Sequence, residues 1–83
     1  MKVELRYFAS LREALGQAES IEVAIGTKVG EIRDQLIARG EPHAAVLARG
    51  RAVRCALNKM MCDEAAVLPD GAELAFFPPV TGG

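Results

Sequence analysis

Residues 53–62 read VRCALNKMMC. The pattern predicts a β-hairpin that turns at Asn58-Lys59. Asn tolerates the positive φ that a two-residue hairpin turn needs, although Lys59 stands where glycine is usual. A loop of two residues sets the register. Leu57 then faces Met60, Ala56 faces Met61 and Cys55 faces Cys62. Strand alternation places Val53, Cys55, Leu57, Met60 and Cys62 on the core side, and Arg54, Ala56, Asn58 and Met61 outside.

The flanking segments supply the other elements. Downstream, LPDG (68–71) is a turn with Gly71 at positive φ. AELAFF (72–77) is a last strand with Leu74 and Phe76 inward and Glu73 and Phe77 outward. Pro78 ends it, because proline cannot donate to the ladder. Upstream, PHAAVLARG (42–50) reads as a short helical turn or irregular crossover. Thr27 is expected to cap a longer helix running to Arg39 and stopped by Gly40, with Val29, Ile32, Leu36 and Ile37 as its apolar stripe. SIEVAI (20–25) predicts a strand with Ile21, Val23 and Ile25 inward. SLREALG (10–16) predicts a short helix with a Ser10–Glu13 capping box, Leu11 and Leu15 on one face, and Gly16 as its stop. KVELRYF (2–8) alternates, with Val3, Leu5 and Tyr7 on one side and Lys2, Glu4, Arg6 and Phe8 on the other. The order is strand, short helix, strand, long helix, hairpin, strand. It predicts an α+β chain with a mixed sheet and one main covering helix. The β-grasp (ubiquitin-like) fold matches this order, with the first and last strands parallel at its centre. Residues 1–77 would form the domain and 78–83 an extended flexible tail.

The chain has 83 residues, which suits one domain with little volume for a deep catalytic cavity. Hydrophobic residues make up 51% and charged residues 25%, proportions of a globular rather than a disordered chain. Ten basic residues against eleven acidic leave a net charge of −1, without the basic footprint of a nucleic-acid binder. No apolar run is long enough to span a membrane, and MKVELRYF alternates instead of forming a signal-peptide core. A cytoplasmic location is the expectation.

Little in the sequence suggests catalysis by the domain itself. His43 is the single histidine and is expected in a surface loop. Cys55 and Cys62 fit no zinc spacing, and no metal site is expected. Facing each other they lie within disulfide reach, but free core-facing thiols are the expected state in a reducing compartment. IGTKVG (25–30) lacks the spacing of a phosphate loop and reads as a turn and helix cap. Arg49, Arg51 and Arg54 read as a solvated loop.

Two features do not look like background. Phe8 and Phe77 fall on the outward faces of strands expected to be parallel neighbours, at the same end of the sheet, and Met61 also projects outward. An exposed aromatic patch suits a partner interface. The residues alone leave open the alternative that the strand ends twist and bury both rings. The second feature is the ending, FFPPVTGG (76–83). Pro78 and Pro79 favour an extended chain leaving the sheet. Val80 and Thr81 suit extended backbone, and Gly82 and Gly83 have no side chains to obstruct a narrow channel. Six residues from Pro78 reach at most about 20 Å.

FFPPVTGG, together with RYFASLREALG (6–16), CALNKMM (55–61) and LPDGAELAFFPPVTGG (68–83), resembles the small-subunit family of molybdopterin synthase, ubiquitin-like sulfur carriers. The segment from about Gly40 to Arg54 contributes least to the likeness. The resemblance implies a sulfur carrier that binds no cofactor itself. An ATP-dependent activating enzyme would adenylate the carboxylate of Gly83, and sulfur would replace one oxygen to give a thiocarboxylate. The tail would then insert into the large synthase subunit, in a heterotetramer, and donate sulfur to the pterin precursor in molybdenum cofactor biosynthesis. Gly83 and Gly82 would carry the chemistry. Phe8, Arg12, Met61, Phe77, Pro78, Pro79, Val80 and Thr81 would contact partners. The family often has leucine where this chain has Met61. A thiamine-pathway sulfur carrier and a non-catalytic ubiquitin-like interaction domain are the alternatives.

Overall fold

The computed structural model describes residues 1–79. Val80, Thr81, Gly82 and Gly83, the expected end of the tail, lie outside the described residues. The elements run β1 (Lys2–Tyr7), α1 (Ser10–Leu15), β2 (Ala18–Glu22), α2 (Val29–Ala38), α3 (His43–Leu47), β3 (Arg54–Leu57), β4 (Met60–Cys62) and β5 (Glu73–Phe77). The sheet order is β2-β1-β5-β3-β4. β1 and β5 pair in parallel at the centre, and the other neighbours are antiparallel. This is the β-grasp arrangement.

Alternation along β1 and β5 builds the core. Val3, Leu5, Tyr7, Leu74 and Phe76 are all buried on one face of the sheet. Val29, Ile32 and Leu36 of α2 and Leu47 of α3 join them in one cluster. The hairpin follows the predicted register, with Cys55 opposite Cys62, Ala56 opposite Met61 and Leu57 opposite Met60. Asn58 and Lys59 both take positive φ, 49° and 70°, as a two-residue turn between right-twisted strands demands.

Several local expectations are corrected. Ser10 does not cap α1. Ala9 occupies the cap position at φ 54° with no side-chain cap bond. The chain turns so sharply after β1 that Ser10 is already helical, and the Phe8 carbonyl accepts from the Leu11 amide instead (3.2 Å). Thr27 does not cap α2 either. Its hydroxyl donates back to the Ala24 carbonyl (2.6 Å). Lys28 is the cap residue, and its amide is taken by the Glu31 carboxylate (2.9 Å).

Ile25 is 88% exposed rather than inward. β2 begins earlier than predicted and ends at Glu22, and Gly26 at φ 92° completes a turn that carries Ile25 off the sheet. Met60, expected on the core side, is also exposed. It sits beside the hairpin turn, on a three-residue strand at the sheet edge. His43 opens α3 and is half-buried, not in a surface loop.

One buried charge was not anticipated. Arg33 on α2 is 4% exposed. Its guanidinium donates to the carbonyls of Leu47 (2.7 Å), Ala48 (2.8 Å) and Arg51 (3.0 Å) and to the Glu64 carboxylate (2.8 Å). A cation with four acceptors is tolerated inside, because its donors are satisfied. It ties the segment after α3 to the helix.

Candidate functional site: an apolar groove at the base of the tail

The outer face of the sheet is built from residues whose neighbours point into the core. Across its middle run Arg6, Ala75, Ala56 and Met61, on β1, β5, β3 and β4 in turn. Two consecutive alanines in that row leave a depression. Ala75 is 8% exposed and Ala56 9%, so their small side chains lie below the flanking ones. The Phe8 amide continues the parallel ladder one residue past β1 by donating to the Phe76 carbonyl (3.2 Å). That bond keeps Phe8 beside the end of β5.

The result is a groove of ≈ 600 Å³. Ala56 and Ala75 form its floor, Phe8 and Phe77 wall it, and Pro78 and Pro79 continue the wall at the end where the tail begins. Lys59 and Glu73 line it with opposite charges. The hairpin turn is pinned to β5, since the Asn58 amide donates to the Glu73 carbonyl (2.8 Å) and the Glu73 amide donates to the Asn58 side-chain oxygen (2.9 Å). Lys59 is therefore held at this site by backbone geometry. Phe8 is 42% exposed and Phe77 is half-buried. The first of the two placements that the residues had left open is the one adopted: both rings line an open surface instead of entering the core. On the other side of Pro78 a smaller hollow of ≈ 290 Å³ includes Ser10 and Arg51. Among the described residues, Pro78 thus borders a hollow on each flank.

Two other expected contact residues among those described, Arg12 and Met61, stand outside the groove. Arg12 is exposed on α1, and Met61 is exposed on β4, at the end of the alanine row. Reading each strand separately did not find the alanine floor. The signal was present in the outward positions of Ala56 and Ala75, but only the register makes them adjacent.

The titratable groups that interact most closely lie elsewhere. Glu19 of β2 accepts from the Tyr7 hydroxyl (2.9 Å) and from Arg39 (2.6 Å), and lies 3.1 Å from His43 Nε2. Partial burial pushes the Glu19 carboxyl up, but bonds from Arg39, His43 and Tyr7 outweigh it and leave the carboxyl below its ordinary range. Burial, reinforced by the Glu19 bond, raises the Tyr7 phenol well above its ordinary value. Arg49 pairs with both Asp34 and Glu64. Glu64 also accepts from Arg33, and these bonds overcome its partial burial to hold its carboxyl low. These clusters are satisfied internally and tie elements together. Among the described residues, no group of three or more His, Cys, Asp or Glu is placed to hold a metal ion. No described helix is long and apolar enough to cross a membrane. An open, largely apolar groove is a surface suited to binding a partner.

The family model described as the ThiS family matches residues 5–83. The molybdopterin synthase sulfur carrier subunit of Mycobacterium tuberculosis is 36% identical, across 100% of this chain and 99% of its own. The protein of the same name from Escherichia coli is 33% identical, across 98% and 99%. Small archaeal modifier protein 3 of Haloferax volcanii is 37% identical, across 100% of both chains. Among solved structures, SAMP1 of Haloferax volcanii superposes with a TM-score of 0.78 at 27% identity, covering 100% of both chains. A chain of the protein–protein complex of subunits 1 and 2 of the molybdopterin-converting factor from Helicobacter pylori superposes with a TM-score of 0.69 at 26% identity, again covering 100% of both.

Proposed function

Because the chain belongs to the ThiS family, and its relatives include molybdopterin synthase sulfur carrier subunits, we propose that it carries sulfur as the small subunit of a molybdopterin synthase. The observation that carries the reading is the apolar groove ending at Pro78-Pro79. A partner seated there would meet the start of the tail directly, and residues 80–83 would extend into it by roughly 13 Å at about 3.3 Å per residue.

In this reading the domain supplies binding energy and the tail supplies the reacting group. A carboxylate is a poor electrophile, so a partner enzyme first joins the Gly83 carboxylate to AMP from ATP, releasing pyrophosphate. A sulfur donor then displaces AMP and leaves a thiocarboxylate. Held in the large subunit, its sulfur attacks the pterin precursor. Gly82 and Gly83 leave the path unobstructed. Phe8 and Phe77 anchor the docking, with Met61 and Arg12 at its margin. Binding energy from the groove, remote from the reacting atom, positions the sulfur.

The family assignment does not itself separate this role from a thiamine-pathway carrier. The full-length relatives named as molybdopterin synthase subunits favour the first. A protein modifier is a second reading, favoured by the relative from Haloferax volcanii. The test is reconstitution. Protein made with its activating enzyme should show one oxygen replaced by sulfur at Gly83 by mass spectrometry. With a molybdopterin synthase large subunit and the pterin precursor it should then yield the dithiolene product. Thiocarboxylate without product would point to the thiamine pathway, and Gly83 joined to lysine side chains of other proteins would point to a modifier.

A further inference from the structure

The opposite face of the hairpin holds two sulfur atoms that docking leaves unused. Cys55 on β3 and Cys62 on β4 are register partners, and their Sγ atoms stand 3.5 Å apart. Both are free thiols. A disulfide requires sulfur atoms about 2.05 Å apart and Cα atoms within about 4.4–6.8 Å. Directly opposed residues of an antiparallel pair already meet the second condition, at about 4.5–5.5 Å. Closure therefore needs the two sulfurs to approach by roughly 1.5 Å, with no change of register.

The two thiols differ in access. Cys55 is 5% exposed and lies on a strand paired on both sides, whereas Cys62 is half-buried on the edge strand. β4 is three residues long, and short edge strands open more readily than central ones. Burial also bears on the chemistry of Cys55. Burial, helped by the contact with Cys62, pushes the Cys55 thiol up to about 12, so at neutral pH it stays protonated and is a poor first nucleophile.

We propose that Cys55 and Cys62 form an oxidation site at which a hydroperoxide closes an intrachain disulfide between β3 and β4. The Cys62 thiolate attacks a peroxide oxygen. The O–O bond breaks, Cys62 becomes a sulfenic acid, and the departing hydroxide takes up the proton that Cys62 had lost. The Cys55 sulfur then attacks the Cys62 sulfur. An S–S bond forms, the S–OH bond breaks, and the hydroxyl leaves as water with the Cys55 proton. Two thiols have lost two electrons in total, and one hydrogen peroxide has become two waters. The first step falls to the accessible thiol and the second to the buried one 3.5 Å behind it. A neighbouring thiol that intercepts the sulfenic acid also protects it from irreversible oxidation.

The test uses the full reduced chain, dilute, with hydrogen peroxide, followed by alkylation, intact mass and peptide mapping. The expected product is a monomer lighter by two hydrogens, with a Cys55–Cys62 cross-link, both thiols lost to alkylation together, and reversal by a dithiol reductant. Peptide mapping separates this from oxygen added to the exposed Met60 and Met61. Cys55→Ser should leave a sulfenic acid on Cys62 that dimedone traps. Cys62→Ser should leave Cys55 at least tenfold slower to react than Cys62 in the intact pair. Alkylation of both thiols after an exposure that fully oxidises free cysteine would overturn the proposal, as would cross-links found only between chains.

Discussion

The groove makes a quantitative demand on Ala75. Its methyl group is the low point of the outer face, flanked by Arg6 on β1 and Ala56 on β3. Ala75→Leu adds three carbons above the sheet and none to the core. Stability of the isolated chain should therefore change by less than about 1 kcal/mol, as for surface substitutions that favour strand structure. Docking should suffer much more. If the floor receives one apolar side chain of the partner, excluding it forfeits roughly 1.5–3 kcal/mol of burial. That corresponds to about a 10- to 150-fold weaker Kd for the large subunit. Ala75→Glu should be worse, since its carboxylate would lose water without gaining a partner. Titration calorimetry with the large subunit gives the affinity, and urea unfolding of the free chain gives the stability. An unchanged affinity for both variants, with stability intact, would refute the groove as the docking face. A parallel loss of affinity and stability would mean that the outer face is a packed surface rather than an open one.

Other consequences follow from the same structure. Deleting Gly83 should abolish sulfur transfer in the reconstituted synthase while leaving circular dichroism and unfolding unchanged, because glycine has no side chain to contribute to a core; a misfolded truncation would contradict this. Arg33→Met should cost about 3–5 kcal/mol in urea unfolding, the usual effect of removing one partner from a buried ionic network, since three carbonyls lose a donor and Glu64 keeps only Arg49. Lys59→Gly should stabilise the hairpin by about 0.5–1 kcal/mol, because relief of a left-handed lysine exceeds the entropy cost of glycine; a lower melting temperature would contradict it. Glu19 and Glu64 are both held below their ordinary range in the folded chain. Their contribution to stability is therefore complete above the unfolded value of about 4.3 and is lost as pH falls through the lower folded values. Glu19→Gln should flatten that acid limb, measured as urea stability at neutral pH and below about pH 4, and an unaltered slope would count against the ion cluster.

The distinction between legible and hidden features is physical. The hairpin register was readable because a two-residue turn links loop length to pairing, and the same reading placed Cys55 opposite Cys62. Phe8 and Phe77 were readable as outward because alternation along a strand is local. Ile25 and Met60 were misread for a related reason. Alternation states which side a residue would take if the strand and its cover both continued; here β2 had ended before Ile25, and Met60 stands at the exposed turn end of the edge strand β4. The cap assignments failed because Ser10 and Thr27 have suitable side chains, but the turns entering their helices leave the cap positions to Ala9 and Lys28.

The sequence by itself determined the order of the strands and the long helix, the inward set along β1 and β5, and the family resemblance of the ending. All of these rest on short-range periodicity and on residue identity. Only the tertiary structure decided what those elements enclose. The alanine floor joins Ala75 to Ala56 across two strands, Arg33 reaches carbonyls fourteen to eighteen residues away, and Glu19 gathers Tyr7 of β1, Arg39 at the end of α2 and His43 of α3. Such neighbours share no sequence interval. They meet because the sheet pairs its strands in register and the helices cover one of its faces, leaving the other open.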